Sequence, residues 1–356
     1  MDKLNLQHIY RMTDTVGILE HCLIATPDLK EGYCVDDNAR ALIVSLYLKE
    51  EKLVDIYLKF LLSAASESGF KNDLNQGLSW DNESNGENFG RVMAALAKTI
   101  IKGIREDQKM TALFLFDQHA YLIEKIDSCR TRSWLIYAWC LRQKADKYLS
   151  KKTEQYFKVR RGQEKIGKKR YFNIRKQIKE MADEMVKSYQ NMSTKKWKWF
   201  EEKITYDNGR LPFGLLWAYQ LLGDKKYLNV AIQSLDFLTK NIFDIKQDFF
   251  SFPGYRGWIT KDGTRAIYGQ QPIEAGSMVE VYGLAYELTK NLKYKDLAIK
   301  AFDWYRGKNI LGLSLIDSQT GGIYDGLEKE GINFNQGAES ILSYLMACIT
   351  IDSIRL

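Results

Sequence analysis

Six times along this chain, a polar loop carrying Gly or Asn leads into a weakly charged segment rich in Ala and Leu. The six stretches are GYCVDDNARALIVSLYL (32–48), WDNESNGENFGRVMAALAKTI (80–100), DSCRTRSWLIYAWCLRQKA (127–145), TYDNGRLPFGLLWAYQLL (205–222), GQQPIEAGSMVEVYGLAYEL (269–288) and GINFNQGAESILSYLMACI (331–349). Between them lie more charged segments at 51–65, 107–125, 173–190, 225–240 and 293–306. In KKYLNVAIQSLDFLTK (225–240) and KYKDLAIKAFDWYR (293–306) the apolar residues fall at three- and four-residue steps, the mark of a helix wet on one face. Residues 5–24 predict one more helix, interrupted near Asp14 and Gly17.

Weakly charged helices that alternate with amphipathic ones have a natural arrangement. The first set forms an inner ring and the second an outer ring, which predicts an all-α (α/α)6 toroid over residues 1–356 as a single domain. All six polar loops precede inner helices and gather at one end of the ring. Short Gly-rich β-hairpins, GYRGWITKDGTRA (254–266) and DSQTGGIYDG (317–326), are expected to decorate that mouth. The competing architecture is an α-solenoid, which calls for a regular repeat. Here the intervals are uneven, and what recurs is a set of polar residues at helix starts, which a binding scaffold does not require.

Composition narrows the function classes. Four prolines among 356 residues exclude Pro-rich and collagen-like chains. No apolar run approaches about 18 residues, so no transmembrane segment is expected. The start, MDKLNLQHIYRMTD, lacks the pattern of a secretory signal, and a cytoplasmic location is the expectation. Five widely spaced cysteines and three histidines form no zinc pattern, so reduced thiols and no metal are expected. GxGxxG, P-loop and calcium-loop fingerprints are absent, and no cofactor is predicted. The net charge of +7 is concentrated in residues 151–200, with sixteen Lys/Arg against five Asp/Glu. That run is read as the solvated face of an outer helix. A nucleic-acid or anionic surface is the alternative, but no nucleic-acid reading motif is present, and no nucleic-acid partner is expected.

The inner-helix loops carry Asp36, Asp37, Asp81, Glu83, Glu87, Asp207, Glu274 and Glu339. One acid at a helix start is explained by capping or by the helix dipole. A ring of them beside Arg40, Arg91, Arg132, Arg210, Gln271, Asn335 and Gln336 calls for more. Aromatics accompany the acids, with Tyr33, Trp80 and Trp258 the foremost and Tyr206 among the others. Sugars have apolar faces for aromatic stacking and hydroxyl edges for Asp, Asn, Gln and Arg, so a carbohydrate substrate is predicted. Glycosidic hydrolysis normally uses two carboxyl groups. Asp37 and Asp207 are the first choices for base or nucleophile, because Arg40 and Arg210 follow each at a spacing of three and would hold it ionised. Glu274, in the less polar PIEAG, is the expected general acid, with Glu339 its rival.

The stretch from His8 to Leu42, with TDTVGILEHC and GYCVDDNARAL, resembles a bacterial family of glycosyltransferase-associated or carbohydrate-metabolism proteins. PIEAGSMVEVYG and GGIYDGLEKEGINFNQGAES share that resemblance. It implies a fold similar to six-hairpin (α/α)6 glycosidases and, for members joined to a glycosyltransferase domain, a glycosyltransferase partner. The chain itself shows no nucleotide-sugar Rossmann pattern. The leading expectation is thus a carbohydrate-active enzyme, most simply a glycoside hydrolase on an oligo- or polysaccharide. The alternatives are a phosphorylase, lyase or epimerase, or a non-catalytic domain that binds glycans or regulates a partner glycosyltransferase. Epimerisation at a reducing end usually employs histidines, and the three here are scattered.

Overall fold

The computed structural model describes residues 4–81, 86–149 and 173–355. Twelve α-helices lie among these residues. They are α1 (Gln7–Met12), α2 (Val35–Leu48), α3 (Glu51–Ala64), α4 (Gly86–Lys102), α5 (Glu106–His119), α6 (Cys129–Leu149), α7 (Ile174–Met192), α8 (Arg210–Leu222), α9 (Lys225–Ile242), α10 (Pro272–Thr289), α11 (Leu292–Asp303) and α12 (Ala338–Arg355). Helices α2, α4, α6, α8, α10 and α12 pack in that order, and α12 returns to α2, so the inner ring closes. Outside it, α3, α5, α7, α9 and α11 each lie against the inner helix that precedes them, and α1 lies against α12. This is the (α/α)6 toroid expected from the alternation.

Burial explains the two kinds of sequence. From Asn88 to Ile100 every residue of α4 is buried, because α2, α5 and α6 surround it. On α3 only Leu53, Val54, Tyr57, Leu58, Phe60, Leu61 and Ala64 are buried, a single stripe facing the ring. The inner helices approach closely where glycine allows it. A Cβ at Gly214 of α8 would stand 2.6 Å from the Ser133 Cα of α6, and one at Gly90 of α4 would stand 2.8 Å from the Trp134 Cβ. Both distances are closer than packed carbon atoms tolerate, so these glycines set the width of the ring.

Two local expectations differ. The helix predicted over 5–24 is only α1. The Asp14 carboxylate accepts the N–H groups of Val16 and Gly17 and turns the chain, after which Cys22–Leu23 pairs with Thr26–Pro27. Residues 254–266 do not form a self-contained hairpin, since Ile259–Thr260 pairs with Lys203–Ile204 ahead of α8 and bridges to Arg265 only at Ile259. Near the C-terminus the predicted hairpin forms, with Ile316 and Ile323 bridged across its turn, but the longer ladder is the next one, Gly326–Glu328 with Gly331–Asn333. The basic run at 151–200 includes α7, an outer helix, while its residues 151–172 lie outside the described residues. Among the described residues no helix is long and apolar enough to cross a membrane, and the five cysteines are free thiols.

Candidate active site at the mouth of the ring

Asp36, Asp37, Glu87, Glu274 and Glu339 all occupy the first turn of an inner helix. There the positive end of the helix dipole favours them. Capping does not account for them. On the outer side Asn173, Asp224 and Asn291 cap α7, α9 and α11 with their side chains, whereas α2, α8 and α10 begin with no side-chain cap. The polar groups at the inner starts are turned toward one another instead.

Arginines tie them together. Arg91 of α4 meets Asp36 of α2 at 2.7 Å, its own helix's Glu87 at 3.6 Å, and Asp207, just before α8, at 3.6 Å. Arg40 of α2 meets Asp37 at 2.7 Å and Glu339 of α12 at 3.1 Å. Arg210 meets Asp207 at 3.6 Å and donates to Glu280 of α10. All three guanidinium groups are buried, so each needs its carboxylates to offset the loss of water. The Trp134 ring of α6 lies beneath two of them, with the Arg210 guanidinium 3.9 Å and that of Arg91 5.9 Å from its centroid. Between Arg40, Trp134, Asp207, Arg210 and Glu280 remains a cavity of about 10 Å³, room for about one water.

Asp207 has a left-handed backbone, with φ of +46°. The Glu274 carboxylate accepts the Asp207 N–H through one oxygen and the Asn208 side-chain amide, at 2.8 Å, through the other. Asn208 in turn accepts the Thr205 N–H and donates to the Thr205 carbonyl. The turn that presents Asp207 is thereby bolted to α10.

Burial governs the titration of this set. Desolvation pushes Glu274 up to about 8, against the amide of Asn208, which favours the charged form. It pushes Asp37 up to about 7, opposed by Arg40 and reinforced by Glu339, Glu20 and Asp36. The hydrogen bond to Glu20 raises His21, on the loop ahead of α2, to about 9. Glu20, Cys34 and Asp73 bring possible ligand atoms within 4.8 Å of one another. Burial holds the Cys34 thiol well above its ordinary value.

The structure sorts the expected residues by access. Asp37, Asp207 and Glu274 are only 3%, 1% and 2% exposed, with oxygens turned to arginine or amide donors. The Glu339 side chain is 40% exposed, and those of Asp36 and Glu87 are partly open. Trp258 lies beside Tyr206, ring centroids 6.3 Å apart, and the Tyr206 hydroxyl donates to Glu87. Together Asp36, Glu87, Arg91, Tyr206 and Trp258 form one wall of the mouth. Other expected residues are placed elsewhere. Tyr33 and Trp80 pack on Phe60 of α3, and the Tyr33 hydroxyl donates to Asp14. Gln336 is buried between Thr320 and Asp317, and its carbonyl receives His8. Asn335 accepts the Ile24 N–H. Gln271 is the residue at the N-cap of α10, without a side-chain cap bond. Asp81 accepts the N–H groups of Asn72 and Asp73, and Glu83 lies outside the described residues.

Three participants escaped the sequence reading. Arg130, not Arg132, faces the site: it is buried, donates to the Tyr206 carbonyl at 2.8 Å and lies over the Tyr206 ring. Arg132 turns to Asp127 instead. Glu280 is a charge inside an otherwise weakly charged inner helix, and that oddity was its signal. Asp325, half-buried and raised by desolvation, accepts the Gly337 N–H and the Ser340 hydroxyl. Only its ladder-adjacent position in YDG marked it.

Comparison of the whole chain with solved structures shows the fold. A D-mannose isomerase matches with a TM-score of 0.68 at 12% identity over 98% of this chain and 95% of its own. A cellobiose 2-epimerase from Bacillus thermoamylovorans B4167 matches with 0.69 at 12% identity over the same shares, 98% and 95%. The GH76 alpha-mannanase BT2949 of Bacteroides thetaiotaomicron matches with 0.55 at 12% identity over 90% of this chain and 87% of its own. No family model and no curated protein sequence matches the chain. The likeness to the six-hairpin fold therefore stands, while the glycosyltransferase association implied by the sequence resemblance gains no support from these structures.

Proposed function

We propose that this protein is a carbohydrate-active enzyme that binds an oligo- or polysaccharide at the mouth and hydrolyses a glycosidic bond with two carboxyl groups. The observation that carries this reading is the wall of the mouth. Asp36 and Glu87 reach solvent on the wall that carries the aromatic pair Tyr206 and Trp258, and Glu339 of α12 is open beside Arg40. The aromatic faces suit sugar rings, and the acids and Arg91 suit hydroxyl edges. The names of the structural relatives are those of sugar enzymes, which agrees with this substrate class.

The reacting pair is drawn from the acids with access. Glu87 accepts the Tyr206 hydroxyl and meets Arg91, two partners that stabilise a carboxylate, and serves as base or nucleophile. Glu339, the most open of the set, is the second carboxyl group of the pair. Asp37, Asp207 and Glu274 are positioning residues: they hold Arg40, Arg91 and Arg210 and the turn before α8.

Two of the relatives carry the names of an isomerase and an epimerase, which makes reducing-end isomerisation the second reading. Histidine chemistry at the ring axis has little support here. His8 lies on α1 and His119 on α5, both buried and bonded to carbonyls, and His21 lies on a loop.

The test is incubation with a panel of manno-, gluco- and xylo-oligosaccharides followed by proton NMR of the products. New reducing ends support hydrolysis. A C2 epimer or a ketose without chain cleavage overturns hydrolysis and leaves a sugar-active enzyme. No change in any sugar, with no binding, overturns the whole reading.

A further inference from the structure

A groove of about 250 Å³ opens on the rim of the toroid beside the mouth. Its lining includes Lys196, Trp197, Asn241, Thr260, Lys261 and Arg265. That is somewhat smaller than ordinary ligand sites, which begin near ~300 Å³, so it suits one sugar unit rather than an oligosaccharide. Three features set it apart from a general lysine surface.

The first is location. Its wall is the short ladder of Lys203–Ile204 with Ile259–Thr260. Tyr206 follows one strand by two residues, and Trp258 immediately precedes the other. The two aromatic residues of the mouth wall thus flank the ladder whose residues Ile259 and Thr260 line the groove.

The second is charge. Its lining holds Lys196, Lys261 and Arg265 and no Asp or Glu, and the Lys261 amine also donates to the Met192 carbonyl at 3.2 Å. Lys196 and Lys261 are exposed. The mouth next door has the opposite balance, with Asp36, Asp37, Glu87, Asp207, Glu274, Glu280 and Glu339 around four arginines.

The third is rigidity. The Arg265 guanidinium donates to the carbonyls of Asn241 and Ser251, at 2.7 and 2.6 Å, and ties the loop to the end of α9. Trp197 is buried, donates to the Glu201 carbonyl and packs edge-on against Phe237. The groove is formed before anything enters it, which lowers the ordering cost of binding.

We infer that the groove receives an anionic substituent, a carboxylate, sulfate or phosphate, on the sugar unit next to the one bound at the mouth. This deepens the proposed function and rests on it for the neighbouring unit. The acidic mouth takes a neutral unit and the basic groove takes a charged one, so the substrate class is a heteropolysaccharide with charged units at intervals.

The experiment measures binding of the full chain to dextran, polygalacturonate, dextran sulfate, xanthan and a single-stranded oligonucleotide, at two salt concentrations. It compares wild type with Lys196→Ala/Lys261→Ala and with Lys196→Arg/Lys261→Arg. These side chains are exposed, so the variants are expected to fold, and circular dichroism checks it. The expected result is that a charged glycan binds at least about tenfold more weakly to the alanine variant, that arginine restores binding, and that dextran is unaffected. Unchanged binding of every charged glycan to the alanine variant overturns the inference. So does oligonucleotide binding as tight as that of the best glycan, because charge alone would then suffice. Turnover of neutral sugars only, with no charge preference, overturns the groove while the hydrolase reading stands. Lysine-dependent binding of a charged glycan without cleavage supports the groove and counts against hydrolysis.

Discussion

Glu274 holds Asp207 in place: the buried carboxylate on α10 accepts the backbone N–H of a residue whose φ is +46°. A left-handed aspartate is tolerated but uncommon, and here a second helix fixes it. The bond sets where the Asp207 carboxylate meets Arg91 and Arg210, and hence where Arg91 presents Asp36 and Glu87.

Glu274→Gln tests this role. Glutamine has one oxygen for the two donors, so its amide faces either the Asp207 N–H or the Asn208 amide. The expected loss is about 1–3 kcal/mol, read by urea denaturation. The pH dependence is more specific. A glutamate raised to about 8 in the fold binds its proton more tightly there than in the unfolded chain, where its value is about 4.3. Stability therefore falls as pH rises between those values. The variant should flatten that slope, and an unchanged slope would show that Glu274 does not titrate in this window.

Arg91→Met removes the guanidinium shared by Asp36, Glu87 and Asp207 and leaves three acids facing one another. Breaking a buried pair in this way costs about 3–5 kcal/mol. The expected outcome is a lowered urea midpoint at pH 7 with partial recovery at pH 5, where the acids take up protons. A midpoint equal to wild type would remove Arg91 from the centre of the network.

Glu87→Gln and Glu339→Gln each should lower kcat at least about 100-fold on whatever sugar is cleaved, with KM nearly constant. Each is also a partner of a buried arginine, so a modest fall in melting temperature is expected, and kcat is compared on enzyme shown to be folded by circular dichroism. Full activity in either variant would sink its assignment to the reacting pair.

Trp258→Ala should act on binding instead. Its ring stands by Tyr206 on the mouth wall, and losing one stacked face is worth about 0.5–1.5 kcal/mol. The expected signature is a KM increase of about threefold to tenfold with kcat largely retained. An effect on kcat alone would place the ring against the chemistry rather than the sugar face.

Gly214→Ala tests the ring itself. Its new methyl meets the Ser133 backbone, and overpacking of this kind costs about 1–3 kcal/mol. Differential scanning calorimetry should show the melting temperature reduced. A neutral result would mean that α6 and α8 can separate without penalty.

The sequence was informative where a residue's role depends on its neighbours along the chain. Periodicity and the absence of charge placed all six inner helices, because a helix surrounded on every side has no wet face to mark. The polar loops marked the mouth for the same reason: charges at the head of a buried helix need partners. Asp37 with Arg40 and Asp207 with Arg210 follow from a spacing of three, which a single turn brings together. The tertiary structure decided whatever depends on a second element. Glu274 sits at a helix start like Glu339, yet one is sealed against the Asp207 turn and the other is open, because the loop ahead of α8 covers only the first. Arg130 displaced Arg132 because one side of α6 faces Tyr206 and the other faces Asp127. Trp258, expected at the mouth from its loop, is set beside Tyr206 by a ladder with Lys203–Ile204 that sequence separation conceals. The chain's local patterns thus determined the ring and the identity of its polar mouth, and only three-dimensional closure decided which of those acids solvent can reach.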